Sequence, residues 1–295
     1  MSHVNVGVVL RSVGMTFVLV LGVGAGSSNA APRVPTNYFA CAKANVVSLL
    51  QTQPHRCPAD MKRVQGVFKG ANLANAQLRR VRLQGVDLQG ADLSHANVSH
   101  ANLKAAFLKN ADLSNAYLTG TTFFKAYLRL GNFTEANLTG ADLSGGNLKL
   151  ANFSRAQLWG ANMTFAETAG ANFTGANFTG ATLVGTNLAG AKLTGVRSGG
   201  VIGQPKLPQR WFVKAGYLVG PEANLAGANL SDLLLKRVDL QRANLEGANL
   251  QKVTFIGADL RGANLAHARL NGVSYDATTL CPNGRKFSHG GNCPI

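Results

Sequence analysis

The chain has 295 residues, of which 14% are charged, 7% are aromatic and 34 are glycine. An average globular enzyme carries about 25% charged residues, whereas the apolar fraction of 46% is too high for a disordered chain. The 29 Lys and Arg residues outnumber the 13 Asp and Glu residues, which gives a formal net charge of +16. A partner selected by long-range electrostatics would therefore be anionic, and an acidic surface that imitates nucleic acid is disfavoured.

Residues 1–30 have the pattern of a secretory signal peptide. The apolar stretch Val13–Ala25 is shorter than the roughly 20 residues that a membrane-spanning helix needs. Ser28 and Ala30 suit the −3 and −1 positions of a cleavage site. We therefore expect a secreted or extracytoplasmic protein that begins at Ala31; the alternative is a leader that stays uncleaved as an anchor.

The segment 31–65 is expected to form an N-terminal cap. The stretch Ala42–Gln53 has the apolar side chains of a short helix, and Pro54 would end that helix. These side chains could cover the open end of the region that follows.

One period governs residues 66–196. Every fifth residue from Phe68 to Leu193 is apolar except Thr168, with seventeen Leu, six Phe, one Val and one Met at the 26 positions. The residue two places earlier is mostly Ala, so the unit reads A-[N/D]-L-x-x, as in Ala136–Gly140. A period of five fits neither a helix nor a long strand. It predicts a short extended segment and a bend in each unit, with the large and the small apolar residue both pointing inward.

A longer recurrence, at every fourth unit, predicts how many units make one coil. Phe133, Phe153 and Phe173 share this spacing, and so do Lys109, Arg129 and Lys149, with Lys69 in the same column. We therefore expect four-sided coils that stack at about 4.8 Å, the spacing of neighbouring strands.

These repeats resemble the pentapeptide-repeat family over about 190 residues. The resemblance implies an all-β fold, a right-handed quadrilateral parallel β-helix solenoid. It also implies a possible function, because some family members resemble B-DNA in shape and charge and protect DNA gyrase. The basic charge and the export signal of this chain both oppose that function here.

The period is interrupted over 197–221 and resumes in another frame over 222–280, with a central, inward residue expected at every fifth position from Leu225 to Leu280. The interruption contains Trp211, Phe212 and Tyr217. One interpretation is that these side chains pack on the flank of the coil and close it. The other is that the segment is a recognition loop, because long excursions from a solenoid often form its binding face.

Four cysteines lie outside the repeats: Cys41, Cys57, Cys281 and Cys293. With an export signal, disulfide bonds are the leading interpretation. Of three possible connectivities, the local one, Cys41–Cys57 with Cys281–Cys293, needs the least rearrangement of the chain. A zinc site is the weaker alternative because no C-x-x-C pair is present. Residues 281–295 would form the C-terminal cap.

The only candidate binding site of the coil is a ladder of cations. In the four-sided arrangement Lys69, Lys109, Arg129 and Lys149 share one column, with Gln89 in the gap. Such a column repels itself unless anions lie along it. We expect no aromatic side chains interleaved with these cations, so stacking of nucleic-acid bases is not favoured. Anionic ligands outside the cytoplasm would be polymers of the cell envelope, nucleic acid or lipid head groups, and we expect an envelope polymer; the alternative is that the column is an ordinary solvated stripe.

No catalytic arrangement is recognisable in the sequence. The histidines are scattered, and most acidic residues occupy the outward position just before the central Leu or Phe. No nucleophile triad, phosphate loop or zinc-protease motif appears, and no cofactor or small-molecule substrate is expected. The sequence therefore predicts a non-catalytic scaffold or binding protein with an unidentified macromolecular partner.

Overall fold

The computed structural model describes residues 5–12, 15–22, 39–43, 46–49, 62–65, 68–287 and 293. The chain divides into two compact units, unit 1 (Met1–Phe153) and unit 2 (Ser154–Ile295). The described residues contain strands, bridges and turns but no helix.

Five strands precede the repeats in unit 1. Strands β1 (Asn5–Ser12) and β2 (Met15–Gly22) pair antiparallel. Strands β3 (Phe39–Lys43), β4 (Val46–Leu49) and β5 (Lys62–Gln65) form an antiparallel sheet in the order β4-β3-β5.

The helix expected over Ala42–Gln53 is not confirmed, since β3 and β4 occupy much of this stretch. Val46 and Val47 are β-branched residues, which favour strands. The cleavage site expected after Ala30 lies outside the described residues.

The repeats of unit 1 form coils of four pentapeptides each. Parallel bridges join Asn72 to Asp92, Asp92 to Asp112 and Asp112 to Asn132. Each bridge therefore spans four pentapeptides, as the sequence predicted. The handedness of the coil, which the family resemblance implied, stays a prediction.

A hydrogen-bonded turn closes each pentapeptide. The Ala76 N–H donates to the carbonyl of Leu73, and the Ala111 N–H donates to that of Leu108, both at 3.0 Å. The residue just before each of these alanines has a positive φ, 61° at Asn75 and 59° at Asn110. A bond across four residues with positive φ at the third is typical of a type II turn.

The preference for Asn or Asp before the central residue has a structural cause. The Asp92 carboxylate accepts a hydrogen bond from the Ser94 amide, and the Asp112 carboxylate accepts one from the Ser114 amide, both at 2.9 Å. The Asn132 side-chain amide also donates to Asp112 across one coil at 2.9 Å. These side chains therefore stabilise the turn and the stacking of coils as well as facing water.

The core consists of the central residues and the alanines two places earlier. From Leu88 to Ala181 nearly all of them are fully buried, including the stacked rings of Phe133 and Phe153, whose centroids are 4.6 Å apart. Thr168, the exception in the pattern, is also fully buried, and its hydroxyl donates to the carbonyl of Asn187 at 2.7 Å. A polar side chain is tolerated there because it is hydrogen-bonded.

In unit 2 the coil continues beyond the point where the sequence period is lost. Ile202 still bridges to Thr182, and Lys206 bridges to Asn187. Strands β6 (Phe212–Lys214) and β7 (Tyr217–Val219) then form an antiparallel hairpin. The coil resumes where Asn224 bridges to Arg197.

Three strands line one side of the second repeat block. Strands β8 (Leu234–Lys236), β9 (Thr254–Ile256) and β10 (Ser274–Tyr275) are parallel, with Leu235 and Tyr275 on either side of Phe255.

The register changes at the last coil. Leu280 was expected at a central, inward position, but it bridges to Asp259 and is only half-buried. Thr279 and Cys281 are buried instead, with 0% and 1% of their surface exposed. One extra residue in the turn that follows Tyr275 moves the inward position from Leu280 to Cys281.

Candidate functional site

The predicted cations lie in one column on one side of unit 1, which we call the basic wall. It consists of the pentapeptides centred on Phe68, Leu88, Leu108, Leu128 and Leu148. The residues just after these centres form the cation column: Lys69, Gln89, Lys109, Arg129 and Lys149. All four cations are exposed, and Gln89 is half-buried.

Backbone hydrogen bonds fix the order of this column. The Gly90 N–H donates to the carbonyl of Lys109 at 2.9 Å, and the Asn110 N–H donates to that of Arg129 at 3.1 Å. The Leu130 N–H donates to the carbonyl of Lys149, also at 3.1 Å. Each cation is therefore one coil, about 4.8 Å, from the next level.

The spacing sets the electrostatics of the wall. Two exposed unit charges at about 4 Å repel each other by about 1 kcal/mol in water. Lys109, Arg129 and Lys149 occupy consecutive levels, so an anion beside them would relieve two such repulsions. Asp87 is the one acidic residue at the described positions of the wall, and it lies at the level of Gln89.

Two aromatic residues of the basic wall escaped the sequence analysis. Phe107 and Tyr127 lie two residues before Lys109 and Arg129, and 41% and 49% of their surfaces are exposed. Their rings stack with centroids 4.9 Å apart and an interplanar angle of 5°. The sequence predicted no aromatic side chains interleaved with the cations, and this pair lies in the column beside them. The same four-unit spacing that revealed the cations would have revealed this pair.

Two exposed leucines lie on the other side of the cation column. Leu130 and Leu150 follow Arg129 and Lys149, and 41% and 49% of their surfaces are exposed. Both have φ of 60°, which is unfavourable for leucine. Asn110 holds the same turn position one coil earlier with φ of 59°. Neither leucine is required by the core or preferred by the turn.

The adjoining wall adds further cations. The ammonium groups of Lys104 and Lys125 lie 5.3 Å and 5.2 Å from the centroid of the Phe124 ring. These distances are those of cation–π contacts. Lys125 is two residues before Tyr127, so the basic surface continues around the corner beside the aromatic pair.

The three aromatics proposed as a recognition loop have different environments. Trp211 is 8% exposed and lies against Gly220, where a Cβ atom would overlap its ring. The Tyr217 hydroxyl accepts a hydrogen bond from the Asn229 N–H at 3.1 Å. Phe212 is 40% exposed. Trp211 and Tyr217 therefore contact the protein, while Phe212 faces solvent.

One of the two expected disulfides lies within the described residues. Cys281 and Cys293 are bonded, with Cα atoms 5.3 Å apart, and both are buried. Cys41 lies in β3, but Cys57 is outside the described residues, so this pairing stays a prediction.

The chain end folds back next to this disulfide. Lys286 pairs antiparallel with Leu280, and the Phe287 ring lies 5.1 Å from that of Tyr275. The last coil is thus covered by the chain's own C-terminal segment.

Two carboxylates with shifted pKa values have structural partners. Hydrogen bonds from the Gly257 N–H and from the Thr278 and Thr279 hydroxyls hold the pKa of Asp276 well below its ordinary value. Burial tends to raise the pKa of Asp259, but hydrogen bonds from Arg261 outweigh it and lower the pKa. Both carboxylates are thus kept ionised by their partners.

Within the described residues, no group of three His, Cys, Asp or Glu side chains could hold a metal ion. In the same part of the chain, no helix has the length and apolarity to cross a membrane.

Solved structures with similarity to this chain are pentapeptide repeat proteins. HetL from the cyanobacterium Nostoc sp. strain PCC 7120 is 26% identical over 73% of this chain and 91% of its own, with a TM-score of 0.27. A protein of the Arabidopsis thaliana thylakoid lumen is 31% identical over 39% of this chain and 70% of its own, with a TM-score of 0.21. QnrB1, a plasmid-mediated fluoroquinolone resistance protein, is 18% identical over 68% of this chain and 87% of its own, with a TM-score of 0.25.

The match to a family sequence profile assigns the family more firmly than these structural similarities do. No curated protein matches. The family profile described as Pentapeptide repeats matches in eight copies, over residues 67–99, 91–129, 132–166, 160–195, 222–255 and 239–274. These segments cover more than half of the chain and coincide with the coils that the bridges define. The chain therefore belongs to the pentapeptide repeat family.

Proposed function

We propose that this protein is an exported, non-catalytic binding protein whose basic wall holds an anionic component of the cell envelope. An anionic polymer is the simplest ligand for a linear column of charges. The observation that carries the proposal is the exposed cation column Lys69, Lys109, Arg129 and Lys149, which the backbone fixes level by level.

Two properties of the wall support a binding role. Its charges sit on hydrogen-bonded coils, so little conformational freedom of the backbone is lost when a ligand binds. The coil also presents its cations at regular intervals, which suits a ligand with repeated negative charges. Membership of a family of structural and binding proteins is consistent with a function that needs no catalytic group.

Export is proposed from the leader alone. A test is to express the full chain in a bacterial host, fractionate the cells and sequence the N terminus of the recovered protein. We expect recovery outside the cytoplasm with Ala31 as the first residue. Recovery of an unprocessed chain from the cytoplasm would refute the export part of the proposal.

Charge binding is tested with dextran sulfate, a soluble polyanion without apolar groups. One variant replaces each cation of the column by Gln, at Lys69, Lys109, Arg129 and Lys149. A control variant makes the same change in net charge at four exposed lysines of unit 2, Lys192, Lys206, Lys236 and Lys252.

A basic residue near an anionic surface contributes about 1 kcal/mol, so the variant that removes all four cations should lose affinity on the order of 1,000-fold. The control should lose far less, and added salt should weaken the wild-type complex steeply. Equal losses in the two variants would show that net charge, rather than the column, determines binding.

A further inference from the structure

We propose that the basic wall docks onto the surface of an anionic lipid bilayer. This inference rests on the proposed function and narrows its ligand from an anionic envelope component to a layer of lipid head groups. It is carried by the apolar residues on both sides of the cation column.

The relevant surface covers three consecutive levels of the wall. Its centre is Lys109, Arg129 and Lys149. On one side lie Phe107 and Tyr127, and on the other side lie Leu130 and Leu150. We call these four the flanking residues. Each of them exposes between 41% and 49% of its surface.

A soluble polyanion makes use of only part of this surface. Such a polymer would contact the cations and leave the two leucines and the two rings exposed to water. Exposed apolar groups that adjoin one another commonly mark an interaction site. A lipid surface uses both kinds of group, because the phosphates meet the cations while apolar side chains enter the boundary between head groups and acyl chains.

The orientation of the rings argues against single-stranded nucleic acid. Phe107 and Tyr127 stack on each other at 4.9 Å and 5°, so their facing surfaces are covered. Proteins that bind single strands use open ring faces on which successive bases stack. A half-exposed ring pair that carries a tyrosine hydroxyl instead resembles the aromatic side chains that lie at membrane interfaces.

Of the four flanking residues, Leu130 and Leu150 give the strongest support for a lipid interface. They occupy turn positions with φ of 60°, where leucine is strained and where Asn110 shows that asparagine is accepted one coil earlier. Leucine at two successive turns therefore costs conformational energy and exposes apolar surface. Insertion into a lipid interface gives these side chains a favourable environment.

The patch carries three cations of its own, whereas the adjoining pentapeptides are balanced in charge, with Lys104, Lys125 and Arg155 against Asp112, Glu135 and Asp142. Lys125 lies beside Tyr127 at the neighbouring corner, and Lys104 shares the Phe124 ring with it. Each basic residue at the surface raises affinity for anionic lipids by about fivefold. The charge therefore complements an anionic bilayer and not a zwitterionic one.

The test compares three probes. These are vesicles of phosphatidylcholine, vesicles of phosphatidylcholine with phosphatidylglycerol, and dextran sulfate. The protein is used as it is recovered from the expressing cells, and cosedimentation or surface plasmon resonance gives the affinities. Every variant has the same N terminus as the wild type, so any contribution from the leader is common to all.

The decisive variant carries Leu130→Asn and Leu150→Asn. Asparagine adopts the left-handed conformation of these turns readily, and thermal unfolding verifies that the fold is intact. Its matched control carries Leu234→Asn and Ile202→Asn, which replace two exposed apolar residues of unit 2. A third variant carries Lys109→Gln and Lys149→Gln.

We expect the wild-type protein to bind the anionic vesicles and not to bind vesicles of pure phosphatidylcholine. The leucine variant should lose about tenfold or more in affinity for the anionic vesicles, given the apolar area that it removes, while its affinity for dextran sulfate is unchanged. The lysine variant should have lower affinity than the wild type for both anionic probes. The control variant should have the same affinities as the wild type.

Three results would overturn the inference. If the protein binds dextran sulfate through the column but not the anionic vesicles, the ligand is a polymer and only the proposed function survives. If the leucine variant binds anionic vesicles as tightly as the wild type, the two leucines have no role in docking and the inference loses its main support. Failure to bind any anionic probe would refute the proposed function as well.

Discussion

Phe133 and Phe153 stack face to face in the core of unit 1, with ring centroids 4.6 Å apart and planes inclined by 7°. They are separated by four pentapeptides in the sequence and have no exposed surface. The pair shows directly that one coil contains four pentapeptides. Phe123 meets Phe133 edge-on at 6.2 Å, so the aromatic core extends across to the opposite side of the coil.

Removal of the Phe133 ring should destabilise unit 1 strongly. Phe133→Ala leaves a cavity beside Phe153, and such changes cost about 3–5 kcal/mol. Chemical denaturation followed by circular dichroism measures the loss. Tyr117→Ala, at a position that is 58% exposed, is the control and should change stability by less than about 1 kcal/mol. Equal losses in the two variants would contradict the stacked core.

Substitutions in the hairpin of β6 and β7 distinguish a structural role from a recognition role. Trp211→Ala should cost about 3–5 kcal/mol, because the indole is buried against Gly220. Phe212→Ala should leave stability nearly unchanged, since its ring is 40% exposed. Neither change should alter affinity for dextran sulfate. A loss of that affinity in Phe212→Ala alone would instead indicate a recognition loop.

Ionisation of the Asp276 carboxylate should make the stability of the fold depend on pH. Its carboxylate accepts hydrogen bonds from the Gly257 N–H at 2.9 Å and from the Thr278 and Thr279 hydroxyls at 2.7 and 2.8 Å. These bonds lower its pKa from the ordinary value of 3.8. The contribution of the Asp276 carboxylate to folding stability is therefore complete above about pH 4 and is lost as the pH falls towards its pKa in the folded state.

The measurement is the melting temperature of the wild type and of Asp276→Asn across the acidic range. The variant should melt lower than the wild type near neutral pH, and the gap should narrow as the pH falls below about 4. A gap that stays constant with pH would show that the ionised carboxylate does not contribute.

The disulfide between Cys281 and Cys293 should hold the C-terminal segment over the last coil. It closes a loop with a sequence separation of 12. In the chain-entropy model such a loop contributes about 3 kcal/mol. Cys293→Ser, or treatment with a reductant, should increase proteolytic cleavage after residue 281 before it affects the coils. Unchanged cleavage would show that other contacts, such as that of Phe287 with Tyr275, are sufficient.

The family resemblance also suggests a gyrase assay. A protein that replaced DNA on an enzyme surface would need an acidic face, whereas the basic wall presents cations. We therefore expect no effect of the protein on DNA supercoiling by gyrase, either alone or with an inhibitor present. Inhibition of supercoiling or protection of the enzyme would revive the DNA-mimic function.

Much of the candidate site could be predicted because it follows the same period as the core. Lys109, Arg129 and Lys149 recur at every fourth pentapeptide, and the backbone places them in one column. Phe107 and Tyr127 recur at the same spacing, yet they stand in a position that Asn or Asp usually occupies. The charge pattern of the column does not extend to this outward position, so it gives no signal for the two rings.

The sequence by itself determined the coil of four pentapeptides and the buried leucines and alanines. These features depend on local spacing that repeats many times, so each unit reinforces the same conformation. Features that occur once depended on the tertiary structure. Three features are of this kind: the strands over Ala42–Leu49, the inward position of Cys281 in place of Leu280, and the exposure of the residues beside the cation column. Each is decided by contacts between distant segments, which no local period records.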